Sequence, residues 1–106
     1  MDKDPTTWIV TGASRGIGLA AADRILEQGG RVALVARGDG LNELAAARGA
    51  NCIACRADVS RPDELEAVTA RVLDEWGRID VLVNNAGLHR GGRVGRLKLD
   101  DWQAVL

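Results

Sequence analysis

Three glycines, Gly12, Gly16 and Gly18, stand between an apolar run, Trp8-Ile9-Val10, and a segment of helical periodicity, and they restrict the fold more than any other feature of the chain. Glycine takes positive φ without steric cost and lets backbone come within contact distance of a ligand. A helix that starts directly after such a turn points its unpaired N–H groups at whatever lies beyond the strand, and this is a favourable place for an anion. The spacing, G-x-x-x-G-x-G, differs from the G-x-G-x-x-G dinucleotide fingerprint and lacks the G-K-[ST] ending of a P-loop. It predicts a strand–turn–helix unit that grips a pyrophosphate.

The rest of the chain repeats the alternation of strand and helix. The first strand is expected near Thr7 to Thr11 and the first helix from Gly16 to Gln28, stopped by Gly29-Gly30. Arg31-Val32-Ala33-Leu34-Val35-Ala36 is nearly continuous in apolar residues, as in a strand covered on both faces of a parallel sheet. A short helix over Leu41 to Arg48, closed by Gly49, leads to a third strand over Asn51 to Arg56. Ser60 and Asp63 are placed to form a capping box with Pro62 in the first turn. Leu65, Val68, Val72 and Trp76 then line one face of a third helix ending at Gly77. Ile79 to Val83 reads as the fourth strand, followed by a polar, glycine-rich loop to about Arg96 and the start of a helix near Asp100.

Right-handed crossovers put the strands in the order 3-2-1-4, which is an α/β fold, a Rossmann-type doubly wound parallel sheet in incomplete form. Residues 1–106 are expected to be the N-terminal, coenzyme-binding part of a single domain of this kind, truncated at the C-terminus. Its ligand crevice lies where the strand order reverses, at the carboxyl ends of the first and fourth strands.

Composition narrows the function further. A formal net charge of −1, with scattered rather than clustered basic residues, offers no field for nucleic acid or an anionic membrane. The start of the chain, Met1-Asp2-Lys3-Asp4-Pro5, has no apolar targeting segment, and the expected location is cytoplasmic. Cys52 and Cys55 form a C-x-x-C, but residues three apart on a strand point to opposite faces, so inert buried thiols are expected rather than a metal or redox pair. His89, the sole histidine, stands in the loop and is read as a loop residue, and Trp76 and Trp102 are read as packing residues.

Thr11-Gly12-Ala13-Ser14-Arg15-Gly16-Ile17-Gly18, Asp58-Val59 and Asn84-Asn85-Ala86-Gly87, in that order, resemble the short-chain dehydrogenases/reductases over nearly the full chain. The run from Asn85-Ala86-Gly87-Leu88 to Lys98-Leu99-Asp100-Asp101-Trp102 is most similar to the 3-oxoacyl-acyl-carrier-protein reductase branch. The resemblance implies a cofactor site in which Gly12, Gly16 and Gly18 shape the pyrophosphate turn and Ile17 lies in the same loop. It also implies that Ser14 and Arg15 touch phosphates, that Asp58 accepts from the adenine amino group and that the Val59 backbone lies beside the ring. Asn85, Ala86 and Gly87 would line the ribose and the route to the nicotinamide, while Asn84 would tie strands together.

Cofactor choice rests on charge. NAD enzymes place an acid about twenty residues beyond the glycines for the ribose 2′-hydroxyl. Here the second strand ends Val35-Ala36-Arg37, with no acid and with a guanidinium fork suited to a 2′-phosphate. NADP(H) is therefore expected over NAD(H), with Arg15 able to close on the same group. Arg37 also has a plain reading as a solvated loop arginine, and Asp58 as a turn residue.

The resemblance implies hydride transfer to a carbonyl, with a small-molecule substrate and a homo-oligomeric parent enzyme. Its acid would be a tyrosine in Y-x-x-x-K, assisted by a serine and a helix asparagine. The chain contains no tyrosine. No catalytic or metal-ligating residue is assigned within it, and the expectation is an inactive coenzyme-binding half of a longer reductase, whose fourth strand lacks a neighbour. A non-catalytic dinucleotide-binding module and a truncated product without function are the alternatives. A methyltransferase would want an acid after the second strand.

Overall fold

The computed structural model describes residues 5–85 and 95–97. The elements run β1 (Thr7–Thr11), α1 (Gly16–Glu27), β2 (Arg31–Ala36), α2 (Leu41–Ala46), β3 (Cys52–Arg56), α3 (Pro62–Trp76), β4 (Val81–Asn84) and β5 (Gly95–Leu97). They form one sheet in the order β3-β2-β1-β4-β5. The first four of these strands are parallel, with Ile9 of β1 opposite Ala33 of β2 and Leu82 of β4, and Ala33 in turn opposite Ile53 of β3.

Alternation along the strands sorts side chains into two cores. Ile9, Ala33, Val35, Cys55 and Leu82 face Leu65, Val68 and Val72 of α3. Val10, Val32, Leu34, Cys52 and Val83 lie on the other side with Ala22 and Ile25 of α1 and Leu41 and Ala45 of α2. Ile9, Val10, Leu34 and Val72 have no exposed surface, as the continuous apolar run of a doubly covered sheet requires. The two cysteines belong to different cores and carry free thiols. Burial pushes the Cys52 thiol up to about 11 and raises that of Cys55 as well, so neither is a ready nucleophile. Among the described residues there is no cluster fit to hold a metal ion, and no helix is long and apolar enough to cross a membrane.

The amino end of the sheet is locked by polar groups. The Asp80 carboxylate accepts the Thr7 N–H at 2.7 Å, its own N–H donates to the Thr7 carbonyl at 2.9 Å, and Arg78 clasps the same carboxylate at 2.7 and 2.9 Å. Asp80 thus joins β1 through its side chain, and for this reason the regular ladder of β4 starts at Val81 rather than at Ile79. Arg31 lies over the Trp76 ring at 5.6 Å, and Trp76 packs against the α3 core as a structural residue.

Three expectations need correction. The outer edge of β4 is not bare, because Gly95–Leu97 pairs with it in antiparallel register, Leu82 opposite Leu97. The sequence predicts loop there, but a strand edge offers a row of N–H and C=O groups that a passing segment can satisfy. Ser60 does not cap α3. Its hydroxyl donates to Asp58 Oδ1 at 2.6 Å, and the extended Arg61 precedes Pro62 at the helix start with no side-chain cap. The acid that reaches back is Glu64, which accepts the Asp58 N–H at 2.7 Å. Finally, α2 ends at Ala46, two residues before the expected Arg48, which closes in a tight turn onto Ala45. Residues 98–106, where a helix near Asp100 and the packing of Trp102 are expected, lie outside the described residues, as does His89.

Arg48 instead joins the two helices of its face. It holds Asp23 of α1 through two hydrogen bonds, at 2.7 and 3.3 Å, while donating to the Leu44 carbonyl at 2.9 Å. That hydrogen bonding, ahead of simple charge attraction, lowers the Asp23 pKa below 3.8. A lowered carboxylate pKa contributes stability that is present above the unfolded value and lost as pH falls through the folded one. Asp23→Asn is therefore expected to cost about 0.5–1 kcal/mol at pH 7, as for a half-exposed bidentate pair. The gap between variant and parent should close below pH 4, as read from urea midpoints.

Candidate functional site

Strand β1 ends at Thr11, and the chain then turns through Gly12 (φ 61°) and Gly16 (φ 63°), conformations in which a side chain would be strained. The Ala13 N–H donates to the Val35 carbonyl at 3.2 Å, fastening the turn to β2. Helix α1 then begins at Gly16 after an extended Arg15, without a side-chain cap, so the first-turn amides of Gly16, Ile17 and Gly18 are left for an outside acceptor. Ile17 is 60% exposed at this helix start.

Gly18 shows how tightly the helix is drawn against the turn. A Cβ there would lie 2.4 Å from the Gly12 carbonyl oxygen and 2.7 Å from Asn85 Nδ2. That amide nitrogen donates to the same Gly12 oxygen at 3.1 Å. The Asn85 N–H donates to Thr11 Oγ1 at 2.9 Å, and the Thr11 hydroxyl proton is shared between the Val83 carbonyl at 3.4 Å and Asn84 Oδ1 at 3.2 Å. Asn84 thus bridges β4 to β1, as the sequence predicts, and Asn85 fixes the turn. Asn85 Oδ1 is buried and has no hydrogen-bond partner among the described residues.

Beside the turn opens a cleft of about 970 Å³ at the carboxyl ends of β1, β2 and β3. Gly12, Ser14 and Arg15 form one wall, Val35 to Gly38 a second, and Ala57 to Ser60 the third. Its volume is at the upper end of the range for small-molecule and cofactor sites. The structure thus brings Gly12, Ser14, Arg15, Arg37, Asp58 and Val59 to one cleft, with Gly16, Ile17 and Gly18 in the adjoining helix turn. Asn85 braces the cleft from behind Gly12 without lining it. Ala86 and Gly87 lie outside the described residues.

Asp58 is held in place by its neighbours. Oδ1 accepts from both the hydroxyl and the N–H of Ser60, at 2.6 and 3.0 Å, and these bonds lower its pKa, with Arg37 and Arg61 adding smaller attractions. The second oxygen faces Arg37 at 3.9 Å. A carboxylate has room for further donors, so the group is a charged acceptor aimed across the cleft from Arg37. Sequence reasoning missed Ser60 and Glu64 as the residues that orient Asp58. A serine two residues after an aspartate is the signal of an Asx turn and competed with the capping-box reading.

The sheet thus carries a glycine turn after β1, an acid after β3 and an Asn-Asn pair at the end of β4, and residues 6–106 match the family described as short chain dehydrogenase. The chain belongs to that family. It is 42% identical over 103 residues to a 3-oxoacyl-[acyl-carrier-protein] reductase of Synechocystis, an alignment covering 92% of this chain and 42% of that protein. Among solved structures it is similar to the actinorhodin polyketide ketoreductase with NADPH (TM-score 0.73, 40% identity, 81% of this chain and 34% of that one). It is also similar to the 3-ketoacyl-(acyl-carrier-protein) reductase of Brucella melitensis complexed with NADH (TM-score 0.72, 29% identity, 77% and 34%). The chain thus spans less than half the length of these relatives.

Gly18→Ala should be the most damaging single-methyl change in the site, because the carbonyl it meets belongs to the backbone turn. A loss of about 1–3 kcal/mol is expected, the range for overpacking. Gly38→Ala, whose Cβ meets nothing within 4 Å, is the control and should melt close to the parent.

Proposed function

We propose that these 106 residues hold a nicotinamide dinucleotide, NADP(H) in preference to NAD(H), as the coenzyme-binding part of an oxidoreductase that reduces a carbonyl, with a 3-oxoacyl thioester as substrate class. The observation that carries the coenzyme preference is Arg37. It stands at the exit of β2, on the wall of the cleft, where an acid would favour an unphosphorylated ribose. The substrate class rests on the names of relatives alone.

The residues present fit such a coenzyme. First-turn amides of α1 and the backbone from Gly12 to Arg15 are aimed where a pyrophosphate lies, and Gly18 keeps the helix close enough to bring them there. Asp58 offers a charged acceptor to an exocyclic amino group, with Val59 beside it. Asn85 holds the Gly12 carbonyl of the turn and would stand behind the ribose, and Ala86 and Gly87 would continue that wall. Arg15 and Arg37 answer the phosphates. When bound, the nicotinamide supplies the hydride.

Within this sequence the proton has no phenolic donor, since tyrosine is absent. The alternative reading of the same site is a module that binds the dinucleotide without chemistry. In either case the 106-residue chain alone is expected to bind coenzyme and not to turn over, in the cytoplasm and with no nucleic acid or membrane as partner. The parent enzyme would be a homo-oligomer.

Calorimetric titration tests the binding. NADPH should bind about tenfold more tightly than NADH, as for one charge-assisted hydrogen-bond pair, and Arg37→Asp should reverse the order. A chain that binds neither at millimolar concentration has no working site. Steady oxidation of NADPH by a 3-oxoacyl thioester, followed at 340 nm, would show that the 106-residue chain catalyses the reduction by itself.

A further inference from the structure

Arg37 is 77% exposed on a turn that brings little packing of its own. No atom comes within 4 Å of a Cβ built at Gly38 or at Gly40, and Gly40 has φ 87°. A long cationic side chain on so open a turn loses much freedom when it closes on an anion, and that loss weakens the contact. Discrimination between two coenzymes that differ by one phosphate therefore depends on what holds the turn.

The neighbouring strand supplies the hold. Arg56, the last residue of β3, is in register with Ala36, the last residue of β2, so its side chain leaves the sheet beside the Arg37 turn. Its Nη2 donates to the Arg37 carbonyl at 3.3 Å and pairs with Asp39 Oδ1 at 3.2 Å. One guanidinium nitrogen thus ties two residues of the turn to the end of β3, by a hydrogen bond to the Arg37 carbonyl and an ion pair with Asp39. Arg37, Arg56, Ala57, Asp58 and Glu64 also line a cavity of about 350 Å³ that shares Arg37, Ala57 and Asp58 with the main cleft. Both guanidiniums therefore lie along one continuous surface.

We infer that Arg56 is a positioning residue for coenzyme specificity. By holding the Arg37 carbonyl and the Asp39 carboxylate it sets Arg37 toward the ribose side of the cleft and so strengthens the preference for a 2′-phosphate. Arg56 does so without itself gripping the phosphate, because it does not line the main cleft. Asp39 is the second half of the tie, and Asp39→Asn should weaken it in the same direction but less, since the bond to the Arg37 carbonyl stays.

This inference rests on the NADP(H) reading, and one set of titrations separates the two. The parent chain, Arg37→Met, Arg56→Met, Arg56→Lys and the double Met variant are titrated with NADPH and NADH, and their melting temperatures are recorded. Arg56→Met should weaken NADPH binding about fivefold, within the coupling range of neighbouring groups, and leave NADH binding and melting temperature unchanged. Arg56→Lys, which keeps the charge but not the fork, should recover only part of the loss. The double variant should bind NADPH no more weakly than Arg37→Met alone.

If the parent binds both coenzymes equally, the NADP(H) reading fails and the inference falls with it. If the parent prefers NADPH and Arg56→Met keeps the full preference, the inference alone fails. Additive losses in the double variant would overturn positioning in favour of a direct grip on phosphate by Arg56. Parallel losses for NADPH and NADH, or a fallen melting temperature, would reduce Arg56 to a structural residue.

Discussion

The contact between Gly18 and the Gly12 carbonyl oxygen is the constraint on which the arrangement of the site depends. It lets α1 start flush against the end of β1, so that its first turn, with no side-chain cap, adjoins the cleft. It also leaves room for Asn85, whose amide reaches the same oxygen from β4 and couples the fourth strand to the turn. Thr11 completes the junction by accepting from the Asn85 N–H while its hydroxyl proton faces the end of β4. Strand, turn, helix and fourth strand therefore meet at a single carbonyl. A methyl group added at Gly18 would disturb all four.

The two ends of the sheet are built for different purposes. At the amino end, charge and backbone close on each other: Asp80 bonds to both the N–H and the carbonyl of Thr7 and is itself held by Arg78. At the carboxyl end, polar groups are oriented but not used up. Asp58 has one oxygen occupied by Ser60 and the other turned across the cleft, and Asn85 Oδ1 is buried with no partner among the described residues.

Much of this was legible in the sequence because it was local. The apolar run from Arg31 to Ala36, the glycine turn and the periodic face of Leu65, Val68 and Val72 announce their elements without reference to distant residues, and the strand order follows from crossover handedness. The opposite facing of Cys52 and Cys55 came from the same period-two rule. What escaped depends on pairing. The β5 segment has an edge to join only once β4 is in place, and Arg56 is informative only once its register with Ala36 is known. Ser60 was misread because one hydroxyl could serve either a helix start or the carboxylate two residues before it, and the choice depends on how β3 delivers Asp58.

The position of β1 in the sheet has a consequence for how the chain is made. β1 is an interior strand, with Val10 opposite Leu34 on one side and Val83 on the other. β2 can occupy the first edge soon after it emerges, but the second stays open until residues more than seventy positions later arrive. During that interval a nascent chain exposes an apolar parallel edge, and pairing of such high sequence separation closes slowly. The order of translation thus runs against the order of the sheet, and β1 is flanked on both sides only after β4 has emerged.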